Sequence, residues 1–209
     1  MLGVVFTGGL GPSLQEVREY IHRATWIVAA DSGLLLAERM GVKPQVIIGD
    51  MDSLPSSYLS DRYKDVEVLQ YPEEKDDTDT ELALKLIRSR GCDESVIIGG
   101  GGGRLDHLLG LVSLFYRTNP PNRWFTHQEE VVLISEFQEI LGRVGQIVSF
   151  MPVGLEVCRM KTTGLRWPLD SLVWKPGDIG IHNILVLDRA TVTMIQGKLL
   201  MILPKGEIK

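Results

Sequence analysis

Three aspartates are the residues of this chain best suited to chemistry. Asp50 and Asp52 flank one residue just after the run Val46, Ile47, Ile48 and Gly49, and Asp79 opens a helical pattern of Leu82, Leu86 and Ile87. A short apolar run stopped by glycine reads as a buried parallel strand. Two carboxylates in an extended turn at its end can converge with a third on one divalent cation. Oxygen-only donors suit magnesium, which keeps several waters and shares its other positions with phosphate oxygens. Aspartates are also common turn formers and helix caps, and for any single one of the three that is the simpler reading. Asp76, Asp77 and a later Arg104, Asp106 and His107 favour a metal–phosphate site for the set.

A second candidate is the glycine stretch 99–103, which leads from an apolar run into a helix headed by Arg104. Backbone N–H groups free of side chains, at a positive helix end, can cradle phosphates. The stretch is not a P-loop, since no Lys-Ser or Lys-Thr follows the last glycine, and it does not match GxGxxG. On glycine alone a flexible turn is an equal reading. Arg104 and Asp106 favour a ligand loop, with a guanidinium for phosphate oxygens and a carboxylate for a metal or substrate group.

These residues need a scaffold, and residues 1–119 alternate strand and helix patterns. Strands are expected at 3–7, 26–30, 46–48, 66–69 and 95–98. Helices are expected at 13–22, 32–40, 78–90 and 104–118, with a helical turn at 56–63. In the last helix Leu105, Leu108, Leu109 and Val112 read as the inward face. Strands separated by helices predict a parallel sheet covered on both faces. Asp31, Asp50, Asp52 and the glycine stretch all follow strands, where open α/β sheets bind ligands. Asn119-Pro120-Pro121-Asn122 cannot continue a helix and reads as a linker. Beyond it, apolar runs at 130–135, 146–151, 155–160, 184–187, 191–195 and 199–203 predict a small all-β sandwich, with Gln196-Gly197 turning a hairpin between the last two. The fold class is therefore an N-terminal parallel-sheet α/β domain over 1–121, followed by a β-sandwich domain over 122–209.

Composition bounds the function. The chain has 209 residues, 44% hydrophobic and 23% charged, as expected of an ordinary globular protein with a sizeable core. Residues 50–81 hold eleven Asp and Glu against Arg62, Lys64 and Lys75, a balance of −8. The whole chain carries −5, so the rest carries +3. The acidity is thus gathered at the proposed metal site, and no basic stripe supports a nucleic-acid partner. Cys92 and Cys158 lack metal-ligand spacing and read as reduced, buried thiols of a cytoplasmic protein. No signal peptide and no membrane span are expected.

The motifs also resemble a family. ADSG at 30–33, PxxIIGDMDS at 44–53, KDDTDTELAL at 75–84 and GGRLDHLLG at 102–110 match thiamine pyrophosphokinases in order and spacing. TTGLRWPL at 162–169 and GIHN at 180–183 extend the likeness into the second half. The resemblance implies ATP-dependent pyrophosphoryl transfer to the hydroxyl of thiamine, giving thiamine diphosphate and AMP. It implies Asp50, Asp52 and Asp79 as magnesium ligands, and Lys75, Asp76 and Arg104 as groups positioning the triphosphate or a second ion. Asp31, Thr78, Gly102, Gly103 and His107 complete the nucleotide side. Asp106 and His107 lie near enough to orient the acceptor hydroxyl or a metal-bound water, although a structural hydrogen bond in the first helical turn explains His107 equally well. The resemblance further implies a homodimer whose site combines the α/β half of one subunit with the β half of the other. That arrangement brings Trp167, His182 and Asn183 to thiamine, with the indole facing a cationic ring. For Trp167 a place in the sandwich core is the competing reading, and Trp26, Trp124 and Trp174 read as packing residues.

The chain departs from the family in its acceptor region, where His182 stands for the usual Ser, and at Gly110, where Asn is frequent. Two other readings therefore stay open. One is a pyrophosphokinase or magnesium-dependent nucleotide hydrolase with a different small acceptor, and the other a non-catalytic thiamine- or nucleotide-binding protein.

Overall fold

The computed structural model describes residues 1–51 and 62–206. Asp52, Ser53 and nearly all of the helical turn expected at 56–63 lie outside the described residues. The chain divides into two compact units, Met1–Leu111 with Pro121–His127, and Val112–Pro120 with Gln128–Lys209.

The first unit is a parallel sheet. Its strands are β1 (Leu2–Phe6), β2 (Trp26–Ala30), β3 (Val46–Gly49), β4 (Glu67–Gln70), β5 (Glu94–Ile98) and β6 (Arg123–Phe125). They lie in the order β6-β5-β1-β2-β3-β4, and each neighbouring pair is parallel. Burial on both faces explains the apolar runs of β1, β2 and β3 and of Val96–Ile98 on β5, whereas β4, at one edge of the sheet, is mostly exposed. On β1, Leu2, Val4 and Phe6 share a cluster with Val17 and Leu34, which belong to α1 (Leu14–Arg23) and α2 (Gly33–Arg39). The opposite face of β1 meets α3 (Asp79–Ser89). A Cβ at Gly3 would stand 2.6 Å from Ile87 Cδ1 and 2.9 Å from its Cβ, so glycine permits the close approach of α3. Reciprocal capping boxes start two of these helices, Ser13 with Glu16 on α1 and Thr78 with Glu81 on α3. The chain steps outward from β1 to β4 and then returns to the other side of β1 at β5. The strand order therefore reverses between β1 and β5, the place where such sheets open a ligand crevice.

Helix α4 (Leu105–Ser113) gives way to one 3-10 turn over Leu114–Tyr116. The inward face expected for it needs correction. Leu105 and Leu109 are 70% and 59% exposed, whereas Leu111, Leu114 and Phe115 are buried. The buried stripe is the later i, i+3, i+4 set, which the shorter α-helix followed by a tighter turn directs inward.

The second unit is a sandwich. One antiparallel sheet orders β11 (Gly180–Ile184), β9 (Ile147–Val153), β13 (Lys198–Pro204) and β7 (Glu129–Ile134). The other orders β10 (Arg159–Thr163), β12 (Arg189–Gln196) and β8 (Phe137–Leu141). Val132, Phe150 and Met201 of the first sheet share a core with Ile140, Met160 and Val192 of the second. The runs at 155–160 and 184–187 become strands at Arg159–Thr163 and Gly180–Ile184, and β8 was not expected. Nor is Gln196-Gly197 a hairpin. β12 pairs with β10 and β8, while β13 pairs with β7 and β9. Gly197, at φ 76°, carries the chain from one sheet to the other. Burial separates the two strands, because β12 hides alternate Ala190 and Val192 whereas β13 hides Leu199, Leu200 and Met201 in succession. Cys92 and Cys158 are free and buried. Among the described residues no helix is long and apolar enough to cross a membrane.

Gly3→Ala is expected to cost about 1–3 kcal/mol by overpacking. Ile87→Ala should relieve that cost, so the double variant should lose less than the sum of the singles in denaturant titrations. Additive losses would show that α3 does not approach β1 this closely.

Candidate active site

The carboxyl ends of the strands deliver the polar residues. Asp31 follows β2, and its carbonyl accepts from Leu34 N at 3.0 Å, turning the chain into α2. Asp50 follows β3, and Met51 comes next. Asp31 and Met51 take left-handed backbone at φ 46° and 65°, and the third described non-glycine residue to do so is His182 at 63°. Such a conformation costs an L-residue roughly 1–2 kcal/mol and gathers where function constrains the chain.

Asp50 and Asp79 meet at Lys75. The ammonium lies 3.5 Å from Asp50 Oδ2 and 3.2 Å from Oδ1 of Asp79, the first residue of α3, four positions further along the chain. The three side chains are only 14–21% exposed, so water screens the group little. Burial opposes the charge on Lys75, but its hydrogen bond to Asp79 and the charges of Asp79 and Asp50 raise its pKa on balance. The same pairing acts on Asp79 and there loses to burial, which raises that carboxyl's pKa, helped by the charges of Asp50 and Asp31. Each partner stabilises the other's ion, and for Asp79 burial outweighs that gain. Asp79 Oδ1 is buried without a well-formed hydrogen bond even so.

These observations test the fit of a divalent cation. Among the described residues no group of three His, Cys, Asp or Glu is close enough to hold a metal alone. What is present is a pair of hard oxygen donors already focused on one cation, with Asp31 near enough for its charge to be felt. That chemistry fits magnesium. Asp52 lies outside the described residues.

Around this centre several candidates are committed locally. Thr78 Oγ1 accepts from Glu81 N at 3.3 Å and caps α3. Lys85 donates to both carboxylate oxygens of Asp77 at 2.6 Å, while Asp76 is exposed. A bond that the sequence did not suggest ties α3 to β1: Thr7 Oγ1 lies 2.8 Å from Thr80 Oγ1, both buried. Its only trace in the sequence is a hydroxyl residue ending one apolar run and another on an inward helical stripe.

The glycine stretch follows β5 at the strand-order reversal. A Cβ at Gly99 would stand 2.2 Å from the Thr7 carbonyl oxygen, at φ 117°. Trp124 Nε1 donates to the Gly99 carbonyl at 2.8 Å, and Leu10 bridges Gly101. Packing thus demands the early glycines, whereas nothing lies within 4 Å of a Cβ at Gly103. Gly102 and Gly103 are exposed ahead of α4. Arg104 is paired with Asp106, at 3.1 and 2.6 Å. The guanidinium holds the Asp106 carboxyl below the usual range, and Asp106 Oδ1 also accepts from His107 N at 3.0 Å.

In the second unit Trp167 is not a core residue, since it is 53% exposed. The Arg166 guanidinium lies 5.2 Å from its ring centroid. Its loop is clamped at both ends. Asp170 Oδ2 accepts from Thr162 N and Oγ1 at 3.1 and 2.8 Å. Asn183 Oδ1 accepts from Trp167 N at 3.2 Å, and its Nδ2 donates to Trp167 O at 2.7 Å. Asn183, 6% exposed, thus spends its amide on the tryptophan backbone. His182 is exposed, and its N donates to Ser149 Oγ at 3.2 Å.

Lys75→Met leaves two facing carboxylates without their cation. Chelator-treated protein should lose about 1–3 kcal/mol in thermal or denaturant unfolding, below the full cost of breaking a deeply buried pair. Magnesium should raise the variant's Tm by more than the wild type's. Equal stability in chelator would mean that the ammonium does not hold the two aspartates.

Comparison with known proteins now bears on the whole chain. Residues 17–125 match the family model described as thiamin pyrophosphokinase, catalytic domain, and residues 135–199 match thiamin pyrophosphokinase, vitamin B1 binding domain. The thiamine pyrophosphokinase of Bacillus subtilis is 28% identical over 205 residues, covering 95% of this chain and 96% of the relative. Its crystal structure superimposes with a TM-score of 0.80 at 26% identity, over 99% of each chain. The thiamin pyrophosphokinase structure from Geobacillus thermodenitrificans gives 0.78 at 27%, also over 99% of each. Both halves of the sequence therefore match in chain order, and the chain belongs to the thiamine pyrophosphokinase family.

Proposed function

We propose that this protein transfers the pyrophosphoryl group of ATP to the hydroxyl of thiamine, releasing AMP. The observation that carries this reading is the convergence of Asp50 and Asp79 on one cation at the rim of the sheet, in a chain of this family. Asp50, Asp52 and Asp79 would hold magnesium, which when bound neutralises charge on the phosphate oxygens. Lys75 reaches the same point and offers its ammonium to the triphosphate. Arg104, with Asp31, Asp76, Thr78 and His107 and the open backbone at Gly102 and Gly103, completes the nucleotide side. The thiamine oxygen attacks the β-phosphorus in line with departing AMP, so the residues align and neutralise rather than form a covalent intermediate. Asp106 stands on the α4 turn to orient the acceptor.

The exposed indole of Trp167, with the Arg166 guanidinium 5.2 Å from its ring centroid, supports a stacking role toward a cationic ring. A second copy of the chain would supply this face, giving a homodimer with shared sites. The reduced Cys92 and Cys158 fit a cytoplasmic protein. His182 favours one further reading, a different alcohol as acceptor, because an ionisable ring stands exposed on strained backbone beside Asn183.

Purified protein with ATP, magnesium and thiamine should form AMP and thiamine diphosphate. ADP as product, or turnover independent of thiamine, would refute the proposal. Asp50→Asn and Asp79→Asn should each lose about 100-fold or more in kcat while remaining folded by circular dichroism. A panel of alcohols assayed with wild type and His182→Ser separates the two acceptor readings, since a changed preference in the variant assigns His182 to the acceptor.

A further inference from the structure

α3 lies against β1 along the stripe Thr80, Ala83, Leu84 and Ile87, all buried. Its far end meets the start of β1, where Ile87 packs over Gly3. Its near end meets the other end of the strand, where Thr80 Oγ1 lies 2.8 Å from Thr7 Oγ1. Apolar contact alone is non-directional and lets a helix slide or rotate on a sheet. A buried hydroxyl pair does not, because any displacement leaves two polar atoms without partners. Thr7 is itself fixed, with its N donating to Ile98 O at 2.9 Å and its carbonyl packed where a Gly99 side chain would stand. The residue next to Thr80 is Asp79, whose carboxylate faces Lys75.

We propose that the Thr7–Thr80 hydroxyl bond sets the position of Asp79, making both threonines positioning residues for the cation site. It ties the first turn of α3 to the ends of β1 and β5 together, so that Asp79 reaches the point Asp50 also faces. The inference rests on the metal–phosphate reading above, and its test separates the two.

Full-length wild type, Thr80→Val, Thr80→Ser, Thr7→Val, Thr7→Ser and the double valine variant are titrated with Mn²⁺ in the presence of ATP and followed by electron paramagnetic resonance, with folding checked by circular dichroism. Each single valine should weaken Mn²⁺ binding roughly 10-fold, the lower end of the loss seen when a group bonded directly to a ligand is removed, because the threonines act through the placing of α3. The double variant should be no weaker than the worse single, since both remove one bond. The serines, which keep the hydroxyl, should stay within about threefold of wild type. Mn²⁺ affinity unchanged in the valine variants, or losses that add, or serines as poor as valines, overturns the inference while leaving the metal site in place. Wild type that binds no Mn²⁺ overturns the metal reading and the inference with it. If Thr80→Val does not fold, Thr7→Val against Thr7→Ser decides by the same criteria.

Discussion

Like charges held at one point require an opposite charge between them, and the first unit is built around that requirement. Carboxylate oxygens 3.5 and 3.2 Å from one ammonium are at most about 7 Å apart, where like charges repel by about 2.5 kcal/mol or more at an effective dielectric constant near 20. That exceeds the roughly 1–2 kcal/mol of one left-handed residue. The arrangement therefore stands only with a cation present, and the Lys75 ammonium supplies it. An ion of higher charge and smaller radius would satisfy the same oxygens more fully. Burial, helped by the charges of Asp50 and Asp31, raises the pKa of Asp79 despite the ammonium.

The sheet makes such a convergence possible. Parallel strands all end at one rim, so residues far apart in sequence arrive there together. Asp31, Asp50 and the glycine stretch come from the ends of β2, β3 and β5, while Lys75 and Asp79 come from the loop after β4 and the start of α3. The turns that aim them are strained at Asp31 and Met51. The stiff, fully buried strands beneath, with Val4, Val5, Ile47 and Ile48 at 0% exposure, bear that strain.

The second unit solves a different problem, which is holding a large aromatic ring out of its own core. Leu165 and Leu169 are buried on either side of Trp167, and Thr162, Asp170 and Asn183 bond the loop backbone. Asn183 acts there as a substitute strand edge. The exposed ring is thus a consequence of satisfied backbone and not of looseness.

The sequence by itself determined the elements of the first unit and the residue types of its site. Buried parallel strands carry unbroken apolar runs, and capping residues such as Ser13 and Thr78 mark helix starts within a few bonds along the chain. It also carried the family likeness, because GDMDS, KDDTDT and GGRLDH are contiguous. Only tertiary structure decided which partners those elements take. The turn at Gly197 looks the same locally whether it joins paired strands or crosses between sheets, and only burial on both sides of β13 separates the cases. The buried positions shifted from Leu105 and Leu109 to Leu111 on α4 and to Leu114 and Phe115 in the 3-10 turn after it, because an apolar leucine pattern does not state which neighbour covers it. The meeting of Asp50, Lys75 and Asp79, the Thr7–Thr80 bond and the clamp of Asn183 on Trp167 join residues distant in the chain or separated by a turn. No local pattern encodes such geometry, which arises only when strands and helices pack.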